Sequence, residues 1–233
     1  MIPWIRDTRL FVNRAHAGKE LSKQLMRYAG SNSVVLALPR GGVPIGFEVA
    51  KALHTSLNVI IARKIGAPYN KEFGIGALSE KDTLLLDIHA IQSRKIPKEV
   101  IDSTVKEERK ELQRRIELYR GNKPLPDLED KRVILVDDGL ATGVTAKAVI
   151  EAIKKLHPKN IIFASPVCSY ESVEQINHMV DTVVCLVTPF DMVSIAEWYR
   201  DFTQVSDNEV LSLLREARKK PHEKTGKIYT WAA

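Results

Sequence analysis

Two adjacent carboxylates, Asp137 and Asp138, follow the apolar run Val133-Ile134-Leu135-Val136 and precede a loop of small residues that reaches Gly143. Neighbouring acids repel each other unless something lies between them. They suit the two hydroxyls of a ribose, beside a divalent cation. Thr142 and Thr145 can donate further hydrogen bonds, and Gly143 lets a ligand approach the backbone closely. A helix predicted to begin near Thr145 would present free N–H groups and the positive end of its dipole to a phosphate. In open parallel sheets, ligands bind at the carboxyl ends of strands beside helix N-termini. The segment Val-Ile-Leu-Val-Asp-Asp-Gly-Leu-Ala-Thr-Gly-Val-Thr over 133–145 therefore predicts a site for a phosphorylated sugar. The other phosphate-binding loops, G-x-x-x-x-G-K-[ST] and a G-x-G-x-x-G after a strand, are absent from the sequence.

Three further groups could act on the same ligand. Leu38-Pro39-Arg40-Gly41-Gly42 joins a predicted strand to a predicted helix. Arg40 offers a forked donor to phosphate oxygens, and Gly41 and Gly42 expose backbone N–H groups. Arg63 and Lys64 end the next strand. The region 187–205 carries Trp198, Tyr199 and Phe202, whose faces could stack on a flat ring.

The pattern of four apolar residues, two acids and a loop ending in T-G-x-T resembles the signature for 5-phosphoribosyl-1-pyrophosphate (PRPP) of the type I phosphoribosyltransferase family. F-x-N-R-x-x-A-G-K-E-L near Phe11, the segments LALPRGGVPIGFEVA and ARKIGAP, and W-Y-R-D-F-T-Q-V-S-D extend the likeness over most of the chain. Together they resemble a bacterial phosphoribosyltransferase-like subgroup. The resemblance implies that Asp137 and Asp138 bind the ribose and, through it or through water, Mg2+. It implies that Gly139 binds PRPP and that Ala141, Thr142, Gly143, Val144 and Thr145 hold its 5-phosphate. It assigns Arg40, Gly41 and Gly42 to the pyrophosphate loop, where a cis non-proline peptide is frequent, and Lys64 to a second pyrophosphate contact. A mobile loop over 64–76 would then shield a cation-like transition state from water. Trp198 and Tyr199 fall where relatives grip the base. The expected activity is that of a pentosyl-transferring glycosyltransferase: phosphoribosyl passes from Mg-PRPP to a nitrogen nucleophile, a nucleobase by expectation, and pyrophosphate leaves. A homodimer is expected on the same ground.

One position departs from the pattern. Purine-using relatives often carry an acid just before T-G-x-T, and here that residue is Ala141. Alanine is no general base. The alternative is a PRPP- or nucleotide-sensing regulator that kept the pocket, lost the chemistry and meets nucleic acid through its basic segments.

The elements that must position these residues follow from periodicity. Apolar spacing predicts helices over 10–30, 43–53, 97–119, 145–156, 171–179 and 206–217, the last capped by Ser206 with Glu209 three residues later. Short apolar runs predict strands over 33–38, 57–62, 132–136, 160–164 and 182–187, with a further short strand at 83–86. The three glycines and one proline of 64–76 read as a mobile loop. The expected fold is α/β, a central parallel sheet of about five strands flanked by helices. It forms one domain over 1–220, with a hood from 1–30 and 187–217, a helical insertion over 97–120 and a polar tail over 221–233.

The chain has 233 residues, enough for one α/β domain with a full core, and carries a net charge of +6. That excess suits a phosphorylated ligand. The basic stretches 109–120 and 215–227 are of the kind usually found on solvated faces, so nucleic acid is not expected as a partner. No apolar run is long enough to span a membrane. The charged N-terminus lacks a signal-peptide core, and a cytoplasmic setting is expected. Cys168 and Cys185 read as small buried hydrophobes in a reducing compartment. The six histidines are scattered and suggest no metal site.

Overall fold

Strand β1 (Ser33–Ala37) is buried at every position, as a Val- and Leu-rich run at the centre of a parallel sheet should be. In the computed structural model, which describes residues 10–30, 32–121 and 123–219, β1 pairs in parallel with β2 (Ser56–Val59) on one side and β6 (Arg132–Val136) on the other. Beyond β6 lie β7 (Asn160–Val167) and β8 (Thr182–Val187), which completes the order β2-β1-β6-β7-β8. The expected tail over 221–233 and residues 1–9 of the expected hood lie outside the described residues.

Alternate strand residues divide between two cores, as the period of two requires. Val35, Ala37, Ile134 and Val136 face helices α1 (Arg14–Leu25), α2 (Gly42–Leu53) and α7 (Asp207–Arg218). Val34, Leu36, Val133 and Leu135 face α5 (Val144–Lys154). Helix α6 (Tyr170–Asn177) connects β7 to β8, and its Ile176 joins the second core. Ser206 caps α7 as predicted, its hydroxyl accepting the Glu209 N–H at 3.1 Å. The chain ends meet where Phe11 pairs with Tyr199, with Phe11 N–H donating to Trp198 O at 3.0 Å and Arg200 N–H to Phe11 O at 2.8 Å.

Two expectations need correction. The segment 64–76 is ordered β-structure rather than a loop. Strands β3 (Ala62–Ala67), β4 (Asn70–Ser79) and β5 (Thr83–Leu86) form a small antiparallel hood sheet. Its glycines serve the pairing: the register shifts around Gly66, and at Gly76 a Cβ would stand 2.3 Å from Leu85 O. Glycine in a strand marks a bulge or a close backbone approach as readily as a loop. The predicted 57–62 strand therefore splits at Ile60 and Ile61, both fully buried between the two sheets. A short helix α3 (Ile88–Ser93), unforeseen, precedes the long α4 (Lys98–Arg120).

The second correction concerns the cysteines. Cys168 and Cys185 are disulfide-bonded, with Cα atoms 6.2 Å apart. Cys168 directly follows β7 and Cys185 lies within β8, its parallel neighbour. Adjacency in the sheet brings together residues that are 17 apart in the chain. Among the described residues, no helix is long and apolar enough to cross a membrane.

Candidate active site

The sheet winds one way from β1 to β2 and the other way through β6, β7 and β8. The reversal lies between β1 and β6, where open α/β sheets form their ligand crevice. The loops leaving these two strands carry the candidate residues. Leu38 N–H donates to Val136 O at 2.9 Å and so ties the loops together.

The acids are held from several directions. Asp138 N–H donates to Asp137 Oδ1 at 2.8 Å. Arg14, the first residue of α1, places Nε 2.7 Å from Asp138 Oδ2. The same guanidinium donates to Thr203 O at 2.8 Å and lies 3.8 Å from the centre of the Phe202 ring. Tyr199 is 2% exposed, and its hydroxyl donates to Asp138 O at 2.7 Å. Burial pushes the Asp137 carboxyl well above the usual carboxylate range, and the charge of Asp138 pushes it further. Burial also raises Asp138, with Arg14 working against it. Burial, then the charge of Asp138, raises the Tyr199 hydroxyl.

The Pro-Arg-Gly-Gly loop packs directly on these acids. A Cβ at Gly41 would stand 1.8 Å from Asp138 Oδ2, and one at Gly42 would stand 2.7 Å from Val136 O. Only glycine fits at either position. The Pro39–Arg40 peptide bond is cis. Arg40 lies 3.6 Å from Asp207 Oδ1, which also accepts from the Tyr119 hydroxyl at 2.5 Å.

Across the crevice, the 139–145 loop is fastened at its base. Leu140 N–H donates to Val167 O, and Ser169 N–H donates to Leu140 O, both at 2.8 Å. The Ser169 hydroxyl donates to Ala141 O at 2.7 Å, and the Ser172 hydroxyl shares that acceptor. Gly143 is the N-cap of α5, with φ of +69°, a value that favours glycine. No side chain caps α5. Ala141 and Thr142 are exposed, and Val144 and Thr145 are half-buried. The loop thus presents a helix start with open N–H groups, an anion-binding arrangement.

Not every predicted residue joins this cluster. Lys64 stands on β3 opposite Ala77, in the antiparallel sheet. Tyr199 packs beneath Asp138 rather than offering a free face. Trp198 is half-buried, and its Nε1 is buried without a hydrogen-bond partner among the described residues. Arg14 has no counterpart in the candidate residues drawn from the sequence, although the F-x-N-R segment contains it. Two clefts of about 800 and 620 Å3 lie elsewhere, and neither is lined by residues of the two crevice loops.

Residues 11–200 match the model of the phosphoribosyl transferase domain. The chain belongs to that family. It is 36% identical over 211 residues to a Mycobacterium tuberculosis protein, named "Putative phosphoribosyl transferase" in two strains. The match covers 91% of this chain and 48% of the mycobacterial protein, so the chain spans about half the length of the curated relatives it matches. The crystal structure of TT1426 from Thermus thermophilus is 36% identical, with a TM-score of 0.74, covering 88% of this chain and 98% of that one. The two share a fold over that 88% of this phosphoribosyl transferase domain.

Proposed function

We propose that this phosphoribosyl transferase domain binds Mg-PRPP in the crevice between β1 and β6. There it transfers the phosphoribosyl group to a nitrogen of a nucleobase, with loss of pyrophosphate. One observation carries the reading. The uncapped start of α5 and the Asp137–Asp138 pair flank the same crevice, with the Arg40-Gly41-Gly42 loop packed against the acids.

The roles follow from charge and position. Open N–H groups at 143–145, with the hydroxyls of Thr142 and Thr145, hold the 5-phosphate. Asp137 and Asp138 accept the ribose hydroxyls and face the positive charge that grows on the sugar as the glycosidic bond to pyrophosphate breaks. Arg40 and the N–H groups of Gly41 and Gly42 receive the leaving pyrophosphate, and Lys64, which stands on the hood sheet outside this cluster, would have to move in to join them. Fixed electrostatics of this kind supply most of the rate in such displacements.

The donor set fits Mg2+ bound mainly through the substrate. Two carboxylates face one cation, Arg14, and no group of three or more metal-ligating side chains occurs among the described residues. Mg2+ commonly keeps several waters and few protein ligands. When bound, it would neutralise the departing pyrophosphate.

For the acceptor, the structure offers an exposed aromatic pair as well as Trp198. Tyr170, beside Ser169, stacks on Phe190 with ring centres 4.5 Å apart, and Phe190 is 82% exposed. Both rings stand at the carboxyl end of the sheet, where Tyr170 N–H donates to Pro189 O. The reading carries with it a cytoplasmic setting and a homodimer.

The test is pyrophosphate release from Mg-PRPP in the presence of each of a panel of bases. Release with one base, abolished by Asp137→Asn/Asp138→Asn, supports transfer. Tight PRPP binding without release for any base would replace transfer with sensing. Failure to bind PRPP would overturn both.

A further inference from the structure

We propose a second ligand site, for a nucleotide, in the cleft between α4 and the β4–β5 turn. The cleft measures about 800 Å3, within the usual range of small-molecule sites. Its cations are Lys81, Lys106, Arg109, Lys110, Arg120 and Lys123, and its carboxylates are Glu80 and Asp82. Both carboxylates are already matched. Glu80 takes Arg120 in a pair whose side chains are 7% and 6% exposed, and Asp82 takes Arg109 at 2.7 Å. Among the described residues, Lys81, Lys106, Lys110 and Lys123 pair with no carboxylate. Four lysines without a carboxylate partner among the described residues therefore line one concave space, and Lys106 and Lys110 stand one turn apart on α4.

The floor has a different character. Leu112 is buried, Ile116 and Leu125 are half-buried, and Pro124 lies beside them. An apolar floor under a cationic rim selects an anion with a flat apolar body. A nucleotide meets both demands, its base on the leucine and isoleucine side chains and its phosphates on the lysines.

This site is separate from the crevice. Lys155, at the far end of α5, donates to Lys81 O at 2.9 Å and to the Thr83 hydroxyl at 3.0 Å. The 5-phosphate loop sits at the opposite end of that helix, about 16 Å away for eleven residues. The cleft also shares α4 with the hood sheet, because Arg63 of β3 donates to Glu108 of α4 at 2.7 Å. A ligand there would bear on the strand that carries Lys64.

The test uses the full chain and ATP as probe, titrated by calorimetry without divalent cations, with tripolyphosphate and adenosine in parallel. Lys106→Gln/Lys110→Gln alters two exposed helix positions and leaves the core untouched. ATP binding weakened at least tenfold in that variant and unchanged in Asp137→Asn/Asp138→Asn supports the site. Equal ATP affinity in Lys106→Gln/Lys110→Gln and the parent, or no ATP binding at all, overturns it. So does loss confined to Asp137→Asn/Asp138→Asn, which places ATP in the crevice and leaves the phosphoribosyl reading standing. Tripolyphosphate binding as tightly as ATP overturns the nucleotide class, since the apolar floor would then contribute nothing.

Discussion

Arg14 Nε lies 2.7 Å from Asp138 Oδ2, although 124 residues separate the two in the chain. The guanidinium also holds Thr203 O and covers the Phe202 ring, so one cation links α1, the ribose-binding candidate and the segment before α7. It lowers the Asp138 carboxyl against the upward push of burial. Removing it should let that carboxyl rise further. For Arg14→Met we expect the acid limb of the kcat/KM profile to move to higher pH. We also expect kcat/KM at neutral pH to fall by roughly 10- to 100-fold, the scale of one lost charge-assisted contact. Superimposable profiles for Arg14→Met and the parent would remove Arg14 from the site.

Asp137 predicts a trade between stability and activity. Its carboxyl is raised by burial and by Asp138. The folded state therefore holds a proton that the unfolded chain releases at its ordinary value of about 4. Where the folded state binds more protons, stability falls as pH rises, from that ordinary value through the raised one, and the loss persists above it. Asp137→Asn keeps the shape and the acceptor for Asp138 N–H but removes the charge. Its Tm should exceed that of the parent by a few degrees at pH 8 and match it near pH 4, on the scale of about 1 kcal/mol. Transfer activity should meanwhile drop at least about 100-fold. Thermal melts at the two pH values, paired with a pyrophosphate-release assay, check both halves.

Gly41 and Gly139 should respond differently to a methyl group. At Gly41 the added Cβ meets the Asp138 carboxylate at 1.8 Å, and that carboxylate is already fixed by Arg14. At Gly139 its three nearest neighbours are all atoms of the Ile195 side chain, at 2.4–2.7 Å. Gly41→Ala is expected to lose about 1–3 kcal/mol and most activity, because the loop must move off the acids. Gly139→Ala should retain more of both, since an isoleucine can change rotamer. Urea unfolding and PRPP binding on the two variants decide this. Equal losses would show that Asp138 is not held as tightly as its partners imply.

Glu80 and Arg120 form a buried pair at the base of the hood. Arg120 also donates to Val59 O at 3.1 Å, and the Ile61 N–H donates to Glu80 Oε1 at 2.9 Å. Glu80→Ala strands the guanidinium away from water and should cost about 3–5 kcal/mol. Replacing both, as Glu80→Leu/Arg120→Met, should recover a large part of that loss. Chemical denaturation of single and double variants measures the difference.

Some of this was legible in the chain itself. The strands Arg132–Val136 and Thr182–Val187 were readable to the residue from apolar runs bounded by polar breaks. The Ser206 cap was readable from a hydroxyl three residues before an acid. The strand, acid pair, glycine loop and helix of 133–145 were likewise readable, because backbone N–H presentation and small-residue clearance are local properties. The pairing of Arg14 with Asp138 was not. Nor were the disulfide between neighbouring strands, the burial of Tyr199 and the hairpin built from glycines that resembled a loop. Each of these depends on which strands become neighbours, and that choice is made when the two hydrophobic faces of the sheet are covered together. Periodicity along a chain reports what a segment does with its own neighbours in sequence. Sheet order, reached only on folding, decided which distant charge meets the acids and which rings are left facing solvent.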